Sequence, residues 1–201
     1  MIKNVILDIG NVLMAFCWEK YYHSFGYSDE VFEKLAKATV LSSTWNEFDK
    51  GVLTPDELLH EFIKNDPSVE KEIRQVYANI NPTVELYSYT LDWIRHLKKT
   101  GYKVYILSNF SEKLHEECDK LDFLKEVDGY ILSYQVKLIK PDDRIYQLLL
   151  ERYDLVPEEC VFLDDRLVNI EAARKNGIHG IVFTTYEEAL QMLAKLGVET
   201  R

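Results

Sequence analysis

The chain has 201 residues, of which 47% are hydrophobic and 29% charged, and it carries a formal charge of −10. Such usage excludes an intrinsically disordered chain, whose few apolar residues cannot offset the entropy of ordering. The acidic balance argues against a nucleic-acid partner, because that binding relies on Lys and Arg neutralising phosphates; a small phosphorylated ligand needs only a local positive site and a metal.

The length allows one α/β domain with an insertion. The N-terminus leads directly into a strand pattern, "NVILDI", with no basic segment followed by an apolar one. No apolar run approaches a membrane span, so the expected setting is the cytoplasm, with no membrane partner. Cys17, Cys118 and Cys160 are widely spaced without a CxxC and read as buried, inert thiols.

From Phe16 to Asn81 no strand run occurs. "VFEKLAKATV" places Val31, Phe32, Leu35, Ala36 and Val40 at helical spacing, and "TPDELLHEFI" begins with a capping box of Thr54 and Glu57 around Pro55. This stretch predicts a helical insertion after the first strand, with chain crossings near residues 15–18 and 80–84. "NPTVELYSYTLDWIRHLKKTG" then predicts one helix, capped by Asn81, striped by Val84, Tyr87, Leu91, Ile94 and Leu97, and stopped at Gly101. The runs "YKVYILSN", "DGYILS", "CVFLDD" and "GIVF" follow, alternating with helical segments. That alternation predicts an α/β fold with a parallel sheet covered on both faces.

Open parallel sheets bind ligands beyond the carboxyl ends of their strands. The residues at those ends are Asp8, Ser108 with Asn109, Lys140, and Asp164 with Asp165. Singly each has a plain reading. Asp8 suits a cap or turn, Ser108 and Asn109 suit the N-cap of "FSEKLHEE" with Glu112 reciprocal to Asn109, and Lys140 suits a solvated surface. Two adjacent carboxylates closing an apolar strand repel one another unless a cation or hydrogen-bond donors face them. As a set these residues are the inventory of phosphoryl transfer: a carboxylate nucleophile, a second carboxylate for a metal, a lysine, and a hydroxyl with backbone N–H groups.

Four segments, "LDIGN", "ILSN", "KLIKPD" and "VFLDDRLVNIEAARKNGI", taken in this order, resemble the motifs of the haloacid dehalogenase superfamily. The resemblance covers essentially the whole chain and points to the subfamily with a helical cap after the first strand. It implies a Rossmann-like three-layer α/β/α core of residues 1–15 and 83–201, a sheet ordered 5-4-1-2-3 by core strand, and a cap of residues 16–82. It also implies roles. Asp8 would attack phosphorus and carry a transient aspartyl-phosphate. Asp8, Asp165 and the Gly10 carbonyl would bind Mg²⁺, with Asp164 supporting them from behind. Ser108 and the Asn109 N–H would hold phosphate oxygens, and Lys140 would pair with both phosphate and Asp8.

One position departs from the pattern. Phosphatases resembling this chain usually carry a second Asp two residues after the nucleophile, as general acid and base, and here Gly10 stands there. Such help is worth about 10²–10⁴-fold. The motif Asp-x-Gly-Asn-Val resembles a branch that includes α-D-glucose-1-phosphate phosphatase-like proteins, and an anomeric leaving group depends less on an acid. The expectation is therefore a Mg²⁺-dependent phosphomonoesterase of a small phosphorylated metabolite, sugar phosphates first. Two alternatives stay open: a 2-haloacid dehalogenase, whose halide leaves without a proton, and a non-catalytic module binding a phosphorylated ligand or a protein. In the insertion, Trp45, Phe48 and Asp49 of "SSTWNEFDKG" are candidates to contact substrate. His23 is a candidate to replace the absent acid.

Overall fold

The computed structural model describes residues 1–200. The chain opens with β1 (Asn4–Leu7) and β2 (Met14–Phe16), followed by helices α1 (Trp18–His23), α2 (Asp29–Ala38), α3 (Thr44–Lys50), α4 (Pro55–Asn65) and α5 (Glu70–Ala78). It returns through β3 (Val84–Leu86) to α6 (Thr90–Lys99), β4 (Lys103–Ser108), α7 (Glu112–Glu117), β5 (Gly129–Leu132), α8 (Ser133–Val136) and α9 (Asp143–Arg152). β6 (Cys160–Asp164), α10 (Leu167–Lys175), β7 (His179–Val182) and α11 (Tyr186–Lys195) complete it.

Five strands form one parallel sheet in the order β5-β4-β1-β6-β7, the order expected from the resemblance. Because side chains alternate across a strand, consecutive residues of β1 serve opposite layers. Val5 and Leu7 join the apolar cluster under Trp93, Ile94 and Leu97 of α6, while Ile6 joins the one under Tyr146, Leu149 and Ile170. A strand buried on both faces needs apolar residues at every position, which is why these strands read as unbroken runs.

Two three-residue strands replace what the sequence pattern predicts as helix or loop. β2 and β3 pair antiparallel, Met14 opposite Leu86 and Phe16 opposite Val84, so the chain leaves for the inserted helices and returns on a two-stranded ribbon. The helix predicted from Asn81 therefore begins at Thr90, and Val84 belongs to the ribbon. The capping box of α4 forms as predicted: Glu57 N–H donates to Thr54 Oγ1 and Thr54 N–H to Glu57 Oε2. The apolar cluster on the α6 side runs on without a break into Tyr22, Leu35, Phe48, Phe62 and Ile73 of the inserted helices. Helix α3 also packs directly on α8, beside the sheet's carboxyl ends. Among the described residues no helix is long and apolar enough to cross a membrane.

Candidate active site

Strand order brings the singled-out residues together. β4, β1 and β6 are adjacent, with Leu7 in register with Ile106 and Leu163, so Asp8 and Asp164 emerge side by side at the sheet's centre. Asp8 stays in the ladder through its N–H to Leu163 O, 3.0 Å away, and its Oδ1 accepts from Ile9 N–H at 2.8 Å. Lys140 is a buried lysine and not a solvated one, 2% exposed. Its Nζ lies 2.8 Å from Asp8 Oδ1 and 2.7 Å from Asp164 Oδ2, and it donates to Leu107 O at 2.9 Å. An ammonium has three protons, and these three acceptors use them all.

Asp164 is fully engaged. Its oxygens also accept from Arg166 N–H (2.8 Å) and from Asn169 Nδ2 (2.9 and 3.0 Å). Asp165, half exposed, accepts only from Asn11 Nδ2, at 2.9 Å, among the described residues. Asn11 takes a left-handed backbone, φ 55°, which Asn tolerates better than most side chains, and it links the loop after β1 to the loop after β6. Asn109 serves the site by a bond to a residue 31 positions away, which no local sequence pattern signals. Its side chain accepts from Lys140 N–H (2.7 Å) and donates to Lys140 O (3.1 Å), fixing the lysine's backbone against the end of β4. It does not cap α7; Ser111 does, through Leu114 N–H at 3.2 Å. Ser108 Oγ is buried beside the Asp8 carboxyl, on which it exerts a small downward pull, but reaches no partner at full hydrogen-bond geometry among the described residues.

Burial pushes the Asp8 carboxyl above its ordinary value, the Lys140 ammonium pulls it back, and the Asp164 charge pushes it up again. Burial alone would lower Lys140, but Asp164 and Asp8 outweigh it and raise that group. The balance has one physical meaning: Asp8 and Asp164 share a single buried ammonium, and an oxygen of Asp165, which does not reach that ammonium, lies within 4.8 Å of theirs. Such a surplus of hard oxygen donors fits a divalent cation of the magnesium type. The side-chain oxygens left open to it are Asp8 Oδ2 and those of Asp165, since Asp164 already accepts four hydrogen bonds.

A cavity of about 370 Å³ opens over this cluster. Asp8, Gly10, Lys140 and Asp165 line it, together with the apolar side chains of Phe16, Val40, Trp45 and Phe110. Asp49, from the last turn of α3, lines it too. Burial and the Asp8 charge push the Asp49 carboxyl up to about 7, against the pull of Lys140 and Arg166. Phe48 is buried among the inserted helices. His23 is exposed, stacks on Phe32 at 4.1 Å and lies outside the cavity, so it cannot stand in for an acid there.

The model of one family, haloacid dehalogenase-like hydrolase, matches residues 2–177. The chain belongs to that family. This haloacid dehalogenase-like hydrolase is 27% identical to a sesquiterpene phosphatase of Aspergillus oryzae over 187 residues, 90% of each chain. It is also 27% identical to a D-ribitol-5-phosphate phosphatase of Bacteroides thetaiotaomicron, over 88% of its own length and 89% of the relative's. It spans only 37% and 19% of two longer curated relatives. Its fold matches that of a HAD family enzyme of Bacteroides thetaiotaomicron in complex with magnesium and inorganic phosphate, with TM-score 0.72 and 23% identity, over 94% of this chain and 99% of that one.

Proposed function

We propose that this hydrolase is a Mg²⁺-dependent phosphomonoesterase of small phosphorylated metabolites, working in the cytoplasm. The observation that carries the reading is the buried Asp8–Lys140–Asp164 cluster, with Asp165 beside it, at adjacent strand ends under a cavity of substrate size. Asp8 attacks phosphorus and becomes transiently phosphorylated. Lys140, locked by its three acceptors, acts on the phosphoryl group as a fixed positive charge. Ser108 Oγ and the Asn109 N–H hold phosphoryl oxygens, which accounts for a buried hydroxyl left without a partner. Asp8, Asp165 and the Gly10 carbonyl hold Mg²⁺, which when bound offsets charge on the phosphoryl oxygens and the nucleophile. Asp164 keeps Lys140 and the Asp165 loop in place through its four hydrogen bonds.

Residues 16–82 act as a cap over the core of residues 1–15 and 83–201, excluding water and contacting the leaving group. The acidic pair supports a phosphatase over a 2-haloacid dehalogenase, which would need no such surplus of metal-binding oxygens. Sugar phosphates remain first among substrates, supported by the phosphatase of D-ribitol 5-phosphate among its relatives. A second reading, a monophosphate with an apolar body, is favoured by the Phe16, Val40, Trp45 and Phe110 wall.

The test is a panel of sugar, alkyl, prenyl and aryl monophosphates assayed with Mg²⁺ or EDTA. Phosphate release is expected to need Mg²⁺ and to fall by on the order of 10⁴-fold or more in Asp8→Asn. Release that persists in that variant, or in EDTA, contradicts the reading.

A further inference from the structure

One carboxyl group in the cavity takes no part in the Lys140 cluster. Asp49 lines the cavity with Asp8 and Gly10, and among the described residues its side chain makes no hydrogen bond or ion pair. An unpaired carboxylate near a second one is electrostatically unfavourable, so the arrangement is a poor choice for structure alone. Its backbone is nevertheless held tightly to the core. Ser133 Oγ donates to Asp49 O at 2.5 Å and accepts from Phe110 N–H at 2.9 Å, joining α3 to the loop that follows β4. Lys137 Nζ donates to Gly51 O. Gly51 ends α3 at φ 64°, and a Cβ there would lie 2.9 Å from Tyr134 Cβ, so α3 and α8 meet where only glycine fits.

The first loop offers the complementary observation. A Cβ at Gly10 would meet nothing within 4 Å, so the place where a second acid would stand after the nucleophile is open and without a carboxyl group. We propose that Asp49, supplied by the inserted helices, is the general acid and base that Gly10 lacks. The inference rests on the phosphomonoesterase reading above.

The steps balance. In the first, an Asp8 oxygen forms a bond to phosphorus while the bond from phosphorus to the leaving oxygen breaks. The leaving oxygen keeps that electron pair and takes the Asp49 proton, giving a neutral alcohol, an acyl phosphate on Asp8 and an Asp49 carboxylate. In the second, Asp49 removes a proton from water as the water oxygen bonds to phosphorus. The bond between phosphorus and Asp8 breaks, releasing inorganic phosphate and restoring the Asp8 carboxylate and the Asp49 acid. A carboxyl with its pKa near neutrality can do both jobs.

The experiment compares Asp49→Asn with wild type, both Mg²⁺-loaded, on hexyl phosphate and p-nitrophenyl phosphate. Nitrophenolate leaves without a proton, whereas hexanol needs one. Hydrolysis of hexyl phosphate is expected to fall about 10²–10⁴-fold. With the aryl ester, the variant releases about one equivalent of nitrophenolate per enzyme in a burst, then stalls with its mass increased by one phosphoryl group. Introducing Gly10→Asp into the Asp49→Asn protein restores about tenfold or more of the alkyl activity. Asp49→Asn that hydrolyses hexyl phosphate within about threefold of wild type overturns the assignment. So does a folded Asp49→Asn protein that loses the burst together with alkyl hydrolysis. A burst that survives in Asp8→Asn overturns the phosphomonoesterase reading instead.

Discussion

Lys140 and Asp49 show how single residues divide stability from chemistry. Removing the lysine's ammonium strands two buried carboxylates, a change that typically costs about 3–5 kcal/mol. Lys140→Met should therefore lower the urea-unfolding free energy in EDTA by that amount and abolish phosphate release; a loss under about 1 kcal/mol contradicts the buried cluster. Asp49 works in the opposite sense. Its folded pKa, about 7, lies above the ordinary 3.8, so the folded protein binds the proton more tightly than the unfolded chain does. The penalty is absent below about pH 4 and grows as pH rises to about 7. Asp49→Asn, which cannot ionise, should match wild type near pH 4 and be the more stable protein at pH 8. Urea midpoints at the two pH values decide this, and a variant less stable than wild type at pH 8 contradicts the raised pKa. A carboxyl whose ionisation opposes folding while it lines the nucleophile's cavity is the pattern expected of function set against stability.

At the scale of elements, the contact of α3 with α8 places Asp49. Gly51→Ala adds a Cβ at 2.9 Å from Tyr134 and forces a left-handed backbone on alanine, so it should cost about 1–3 kcal/mol. Alkyl phosphate hydrolysis should fall with it, while Mg²⁺ binding, which the proposal assigns to the loops after β1 and β6, should stay within about twofold; calorimetry and turnover measured together check the pair of outcomes. Thr54→Ala, which removes the capping box of α4, should cost only about 1 kcal/mol and leave turnover intact. The same elements explain what could be read in advance. β1, β4 and β6 are legible because the middle of a strand buried on both faces is apolar, as at residues 5–7, 104–107 and 161–163, and polar residues follow at once at the carboxyl ends. β2 and β3, three residues each, are too short to carry a period. Asp49 was legible only as a candidate substrate contact, since its approach to Asp8 comes from packing between segments about eighty residues apart in sequence. The glycine closing "FDKG" was the available signal that α3 ends in a fixed, close turn.

For the molecule as a whole, metal binding and folding should be linked. Three carboxylate oxygens converge within 4.8 Å of one another, and a cation that binds them only in the folded state adds about 2.7 kcal/mol at a hundred times its dissociation constant. Mg²⁺ should therefore raise the melting temperature reversibly with EDTA, and Asp165→Asn should remove most of that rise. An unchanged melting temperature in wild type contradicts the metal assignment.

The most direct measurement is to acid-quench the Mg²⁺-loaded enzyme during turnover of p-nitrophenyl phosphate and map the phosphorylated peptide by mass spectrometry. One acyl phosphate is expected, on Asp8, absent in EDTA and in Asp8→Asn. Phosphate release with an unmodified Asp8, or a phosphoryl group on any other side chain, would contradict the role of Asp8.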